Sequence, residues 1–241
     1  MIDPGEIKKY QQAQAIARKT ISEISKTIRP GMTKEDISES AKEVMLSIGA
    51  TGFWYYNIPA IVFIGKDTVL YSKEHINTAK ERVMEKDILW IDLSPQIGNY
   101  WGDYTRTLIL NEGKVIRKKD YSNLEDHKSC KDFVKLAIDI ELIQNKIIQV
   151  IHPEMNFSEL TELTIDTINE LGYINVDTRN NFGHTIVKDI KARSFIVEES
   201  KIKLKDVLFA FEVQIGKKGL DYSARIEDVF YFNGNNKLIK L

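Results

Sequence analysis

Residues 88–110 constrain this chain more than any other stretch. An apolar run, Ile88 to Ile91, delivers a carboxylate, Asp92. Ser94 to Asn99, with Pro95 and Gly98, reads as a turn, and a second apolar run, Tyr104 to Leu110, leaves from another carboxylate, Asp103. This pattern predicts a β-hairpin that brings Asp92 and Asp103 face to face. Like charges placed opposite each other destabilise a sheet. Two neutralisers satisfy the pair: a cation held between the carboxylates, or a salt bridge from Arg106 on the second strand.

The rest of the chain favours the bound cation. Ile28, Pro30, Met32, Asp36 and Gly49 are matched by Ile151, Pro153, Met155, Glu159 and Gly172, each pair 123 positions apart. A repeat of helix, proline turn, helix and glycine stop points to an internal duplication, with halves at about 1–112 and 113–241 packed as one domain. A duplicated chain should present a second apolar strand ending in a carboxylate. Leu208 to Phe211 leads into Glu212, and a further strand, Ala224 to Phe232, carries Glu227. Four carboxylates on four apolar strands do not stay ionised and buried without cations. His184, after Gly183, adds a nitrogen donor, and Gly183 permits close backbone approach. A carboxylate-rich set with one histidine suits Mn²⁺, Fe²⁺, Co²⁺ or Zn²⁺, two ions in a paired site.

Helices are expected over 4–28, from Thr33 to Gly49 with Thr33 and Asp36 as a capping box, over 133–150, and to Gly172. Strands are expected over 53–64, whose aromatic residues Phe53 to Tyr56 suit a substrate pocket or a homodimer surface. Residues 72–86 read as a polar loop or short surface helix, and 113–132 as a charged connector. Lys and Arg number 34 against 35 Asp and Glu. That balance gives no footprint for nucleic acid and no polybasic tract for a membrane surface. No apolar segment has the length of a signal peptide or a membrane span. Cys130 has no partner within the chain, which points to a reducing, cytoplasmic setting.

Asp92, Asp103, His184, Glu212 and Glu227, in that order, resemble the dinuclear metal signature of the pita-bread metallopeptidases, a superfamily of methionine aminopeptidases, Xaa-Pro aminopeptidases and prolidases, with creatinase as a metal-free relative. Asn99 to Thr107 is similar to the family's Gly-Tyr-x-Ser-Asp-x-Thr-Arg-Thr run, and Arg225-Ile226-Glu227-Asp228 to its Arg-x-Glu-Asp. The resemblance implies an α+β fold: a curved antiparallel sheet of two pseudo-twofold halves with helices on its outer face. It implies that Asp92 chelates one ion, that Asp103 and Glu227 bridge two, and that His184 and Glu212 complete the second. Glu212 then shuttles a proton during hydrolysis of a peptide or small amide, supported by Thr105, Arg106 and Arg225.

The chain departs from the family at four places. Thr185 follows the histidine where Gly is usual. Lys191 stands where a second histidine is usual, Ser72 where a third is, and Val213 where proline follows the glutamate. His75 and Lys191 are the replacements considered for the two histidines. Donors of this kind are worth about 10²–10³ in rate. Lys191 and Arg193 together also suit a small non-peptide substrate bearing a carboxylate, and a third reading is an inactive module that binds peptides or partners.

Overall fold

The structure, a computed structural model, describes residues 4–70, 81–122 and 124–241. Two helices, α1 (Pro4–Ile24) and α2 (Lys34–Ser47), precede the first group of strands, and α3 (Lys131–Val150) and α4 (Phe157–Glu170) precede the second. α1 ends at Ile24, four residues before Ile28, and the chain turns through 25–27 ahead of Pro30. The second helix of each pair starts on a capping box. The Thr33 hydroxyl accepts from Asp36 N at 3.1 Å, and the Asp36 carboxylate accepts from Thr33 N at 2.8 Å. Asn156 and Glu159 repeat this at 3.0 and 2.8 Å.

The strands are β1 (Gly52–Phe53), β2 (Ala60–Ile64), β3 (Asp87–Leu93), β4 (Pro95–Ile97), β5 (Tyr100–Trp101), β6 (Tyr104–Asn111), β7 (Lys114–Val115), β8 (Ile174–Asn175), β9 (Gly183–Thr185), β10 (Phe209–Gly216), β11 (Ala224–Phe232) and β12 (Leu238–Lys240). The main sheet runs β2-β3-β6-β11-β10-β8, all antiparallel, with β7, β9 and β12 on β6, β10 and β11. Strands of the first half thus lie on one side and strands of the second half on the other. They meet at one paired position, Thr105 opposite Glu227.

Alternation along the strands separates two faces. Leu89, Ile91 and Leu93 of β3 pack with Ile16, Ile24, Ile37 and Met45 of α1 and α2. Phe209, Phe211, Val213 and Ile215 of β10 pack with Ile140, Ile143, Leu160 and Ile168 of α3 and α4. Burying these side chains, each worth about 1.5–3 kcal/mol, fixes which residues point the other way. The opposite, concave face carries Trp90, Asp92, Glu212, Gln214, Arg225 and Glu227.

Two details of the hairpin differ from expectation. Ser94 to Asn99 is no simple turn: β4 and β5 leave the main sheet as a small hairpin that pairs with β1. This excursion sets the register, so Thr105, not Asp103, lies opposite Asp92. Asp103 stands two residues before Thr105, diagonal to Asp92. The connector over 113–132 holds β7 and short 3₁₀ turns. Among the described residues, no helix is long and apolar enough to cross a membrane.

Candidate metal centre

The registers align one row of side chains across four strands. Asp92 of β3 lies opposite Thr105 of β6, Thr105 opposite Glu227 of β11, and Glu227 opposite Glu212 of β10. Asp103 flanks this row at one end of the cavity and His184 approaches from β9, which pairs with β10 through Ala210. Asp103, His184 and Glu227 each offer one ligand atom within 4.8 Å of the others. Asp92 and Glu212 line the same cavity, of about 200 Å³. Sequence-separated carboxylates therefore converge because β alternation puts them all on one face.

His184 is placed by Gly183. The Gly183 φ is +124°, and a Cβ there would stand 2.1 Å from the Ala210 carbonyl oxygen. Glycine lets β9 close onto β10, where Glu212 N donates to Phe182 O at 3.0 Å. The His184 ring then sits 5.9 Å from both Trp54 and Trp101, which stack on each other. Its Nδ1 lies 3.1 Å from the Thr185 carbonyl and its Nε2 lies 3.4 Å from Asp103 Oδ2. With Nδ1 donating to that carbonyl, the Nε2 lone pair faces the carboxylates.

Asp103 is held from an unexpected direction. Gln14 of α1, fully buried, donates to the Asp103 carbonyl at 2.7 Å and accepts from Asp103 N at 2.8 Å. Sequence reasoning missed Gln14. Its signal is a polar side chain between Ala13 and Ala17 on the buried stripe of α1, where small neighbours allow close approach. Thr105 Oγ1 donates to Glu227 Oε2 at 2.9 Å. Arg225 forms an ion pair with Glu212 and reaches Gln214 Oε1 at 3.3 Å. Arg106 points to the other face, so it is not the neutraliser of Asp92 and Asp103. It pairs with Asp228 at 2.7 Å and donates to the Thr105 and Glu227 carbonyls at 2.7 and 2.8 Å. It thus ties together the backbones that bear the row.

The electrostatics fit a cation. Burial pushes the Asp92 carboxyl up to about 6, with Arg225 opposing and Glu212 adding to the rise. Burial, then Asp92 and Glu212, holds Asp103 well above the carboxylate range. Burial, then Asp103, Glu212 and Asp92, does the same to Glu227. Burial lowers His184 to about 4, which leaves the neutral imidazole that metals bind. Four carboxylates face one buried guanidinium, Arg225, so the donor set matches a divalent ion with oxygen and imidazole ligands.

The replacements for the missing histidines fare differently. Lys191 is exposed and lies off the cavity, because Asp189 caps the 3₁₀ turn Ile190–Ala192 and turns it to solvent. Arg193, two residues on, lines the cavity instead. Ser72 and His75 lie outside the described residues. The aromatic cluster divides: Phe53 joins the first-half core, Trp54 and Tyr55 line the cavity, and Tyr56 is exposed.

Residues 8–233 match the family described as Metallopeptidase family M24. The chain is 25% identical over 187 residues to a methionine aminopeptidase of Helicobacter pylori, covering 77% of this chain and 66% of that protein. Among solved structures it resembles an X-Pro aminopeptidase from Thermotoga maritima (TM-score 0.75, 22% identity, 99% of this chain, 61% of the other). It also resembles a prolidase from Pyrococcus furiosus (0.77, 20%, 99% and 64%) and a methionine aminopeptidase from Thermotoga maritima (0.73, 16%, 99% and 97%). These structural likenesses bear on the fold. The chain spans slightly under two thirds of the length of the first relatives it matches.

Proposed function

Because the chain belongs to metallopeptidase family M24, we propose that it is a dinuclear metal-dependent hydrolase that cuts an amide C–N bond, of aminopeptidase or Xaa-Pro dipeptidase type. The observation that carries this reading is the row Asp92, Thr105, Glu227, Glu212, with Asp103 and His184 facing the same cavity. Asp92, Asp103, His184, Glu212 and Glu227 would hold the ions, with Mn²⁺, Co²⁺, Fe²⁺ or Zn²⁺ as the candidates. A bound pair supplies Lewis-acid chemistry, lowering the pKa of a water and polarising an amide carbonyl.

The chain's own groups do the rest. Glu212 takes the proton of the attacking water and returns it to the leaving nitrogen. Arg225 and Gln214 orient Glu212 from beneath. Thr105 holds the Glu227 carboxylate, and Arg106 holds the backbone on either side of it. Trp54, Tyr55 and Phe195 wall the cavity. Its small volume favours a short peptide or a small amide over an extended chain. The lone Cys130, buried and unpaired, agrees with a cytoplasmic setting.

The test is hydrolysis of a dipeptide and tripeptide panel by protein reconstituted with each ion, followed by mass spectrometry. Cleavage that requires the added ion, and is lost together with the metal in Asp103→Ala, is the expected result. A metal-loaded protein that cleaves no peptide or small amide, yet binds peptides, would make it a binding module instead.

A further inference from the structure

A second cavity lies on the opposite face of the main sheet from the metal centre. It is a cleft of about 660 Å³ at the seam between the two halves of the chain. The β6–β11 pair forms its floor through Tyr104, Leu108 and Ile226, and α1 and α3 form its walls through Ile21 and Ile140. The segment that begins with Lys114 and ends at Tyr121 closes one end. Alternation along β6 keeps the two cavities apart: Thr105 points to the metal row, while its neighbours Tyr104 and Arg106 line the cleft.

The cleft is apolar at its floor and cationic above it. Arg18, Lys26, Arg106, Lys114, Arg117 and Lys118 line it, and the one acid among the lining residues is Glu141. The whole chain has 34 Lys and Arg against 35 Asp and Glu, so this is a local concentration of positive charge. Nearby acids satisfy only part of it. Lys118 pairs with Glu141 at 2.6 Å and Arg106 with Asp228 at 2.7 Å. Arg18 donates to a backbone oxygen, Leu241 O, at 2.6 Å, with no carboxylate within ion-pair distance among the described residues. The Lys114 side chain has no hydrogen-bond or ion-pair partner among them. Lys26 and Arg117 pair with Glu23 and Asp120, three residues away, in exposed contacts that contribute little in water and are readily exchanged for a ligand. The Tyr104 ring lies 3.9 Å from the Arg106 guanidinium carbon, and its hydroxyl makes no hydrogen bond among the described residues.

Volume and chemistry together define the occupant. The cleft falls within the roughly 300–1,000 Å³ of pockets that hold small molecules. Water solvates the exposed lysines but gains nothing from the apolar floor, whereas an amphipathic anion satisfies both. The cations come from three places, α1, β6 and the segment after β6. Such convergence matches a head group with several acceptor oxygens and more than one charge better than the single charge of a carboxylate.

We infer that this cleft is a second binding site, for a small organic phosphate. Its apolar or aromatic body lies on Tyr104, Leu108 and Ile226, and its phosphoryl group lies among the cations above them. The inference is independent of the hydrolase reading, because the sheet separates the two cavities.

The probe is 1-naphthyl phosphate, titrated by calorimetry into the full chain stripped of metal, so that no phosphate is held on an ion. It should bind at one site per chain, about tenfold or more tighter than 1-naphthol or inorganic phosphate, each of which carries half of the recognition. The Lys114→Gln/Arg117→Gln double variant should weaken it about 10- to 100-fold. Ser22→Trp, which fills the cleft from an exposed position on α1, should abolish it. Both variants should melt as the parent does, because all three side chains are exposed. The same site should persist in metal-loaded protein. No binding of 1-naphthyl phosphate, binding no tighter than that of 1-naphthol, or binding unchanged in the two variants would each overturn the site.

Discussion

Gly183→Ala tests how the histidine reaches the carboxylates. The added Cβ would lie 2.1 Å from the Ala210 carbonyl oxygen and 2.9 Å from its carbon, both rigid backbone. The φ of +124° is one that L side chains rarely adopt. Strain at such a position costs on the order of 1–3 kcal/mol. Relieving the clash also moves β9 off β10 and weakens Glu212 N to Phe182 O and Ile186 N to Leu208 O, now 3.0 and 2.7 Å. Each such bond contributes about 0.5–1.5 kcal/mol. The sum is about 2–6 kcal/mol, a large fraction of a stability of roughly 5–15 kcal/mol. Thermal melts in chelator should therefore fall by on the order of 10 °C. His184 is the next residue, so a divalent ion should also bind at least about tenfold more weakly by calorimetry, in line with disrupted support of a ligand. A variant that melts within about 2 °C of the parent and binds metal equally would refute the close β9–β10 approach.

Other outcomes follow from the same geometry. Gln14→Ala leaves a buried N–H and C=O of Asp103 unpaired, so it should lose about 2–4 kcal/mol in denaturant unfolding, although Gln14 touches no ligand atom. Thr105→Val removes the donor to Glu227 Oε2 and should weaken metal binding about 10- to 100-fold, read by calorimetry, while the chelated protein melts almost as before. The metal-free protein should lose stability as pH rises from about 4 to 7. A carboxyl raised in the folded state binds more protons than in the unfolded chain, and Asp92 alone, raised to about 6, contributes about 3 kcal/mol of that loss, with Asp103 and Glu227 in the same direction. His184, lowered to about 4, works oppositely, its contribution growing from about pH 4 to 6.5, but it is one group against three. Bound divalent ions should abolish the downward slope, and melts across pH with and without metal would show whether they do.

Much of this site was legible because β alternation has a period of two. Apolar runs that must face the helices oblige Asp92, Glu212 and Glu227 to face the other way, and the repeat at 123 residues ties the two halves together. The same parity places Arg106 on the face opposite Thr105, which rules out its salt bridge to the paired aspartates. Register was not legible. The β4–β5 excursion pairs with β1, a partner more than forty residues earlier in the chain, and no local signal specifies that contact. Lys191 and Arg193 could not be told apart for a related reason: the Asp189 cap on a three-residue turn decides which cation faces the cavity. Gln14 acts only once α1 has docked against the loop before β6.

The most direct test of the central claim is a metal titration of chelator-stripped protein, by calorimetry with Mn²⁺ or Co²⁺ and by elemental analysis, beside Asp103→Ala. Two ions per chain, lost or nearly lost in the variant, is the result that the proposed dinuclear centre predicts. A protein that binds no divalent ion under anaerobic reconstitution, or binds equally well without the Asp103 carboxylate, would contradict the metal centre and with it the hydrolytic mechanism.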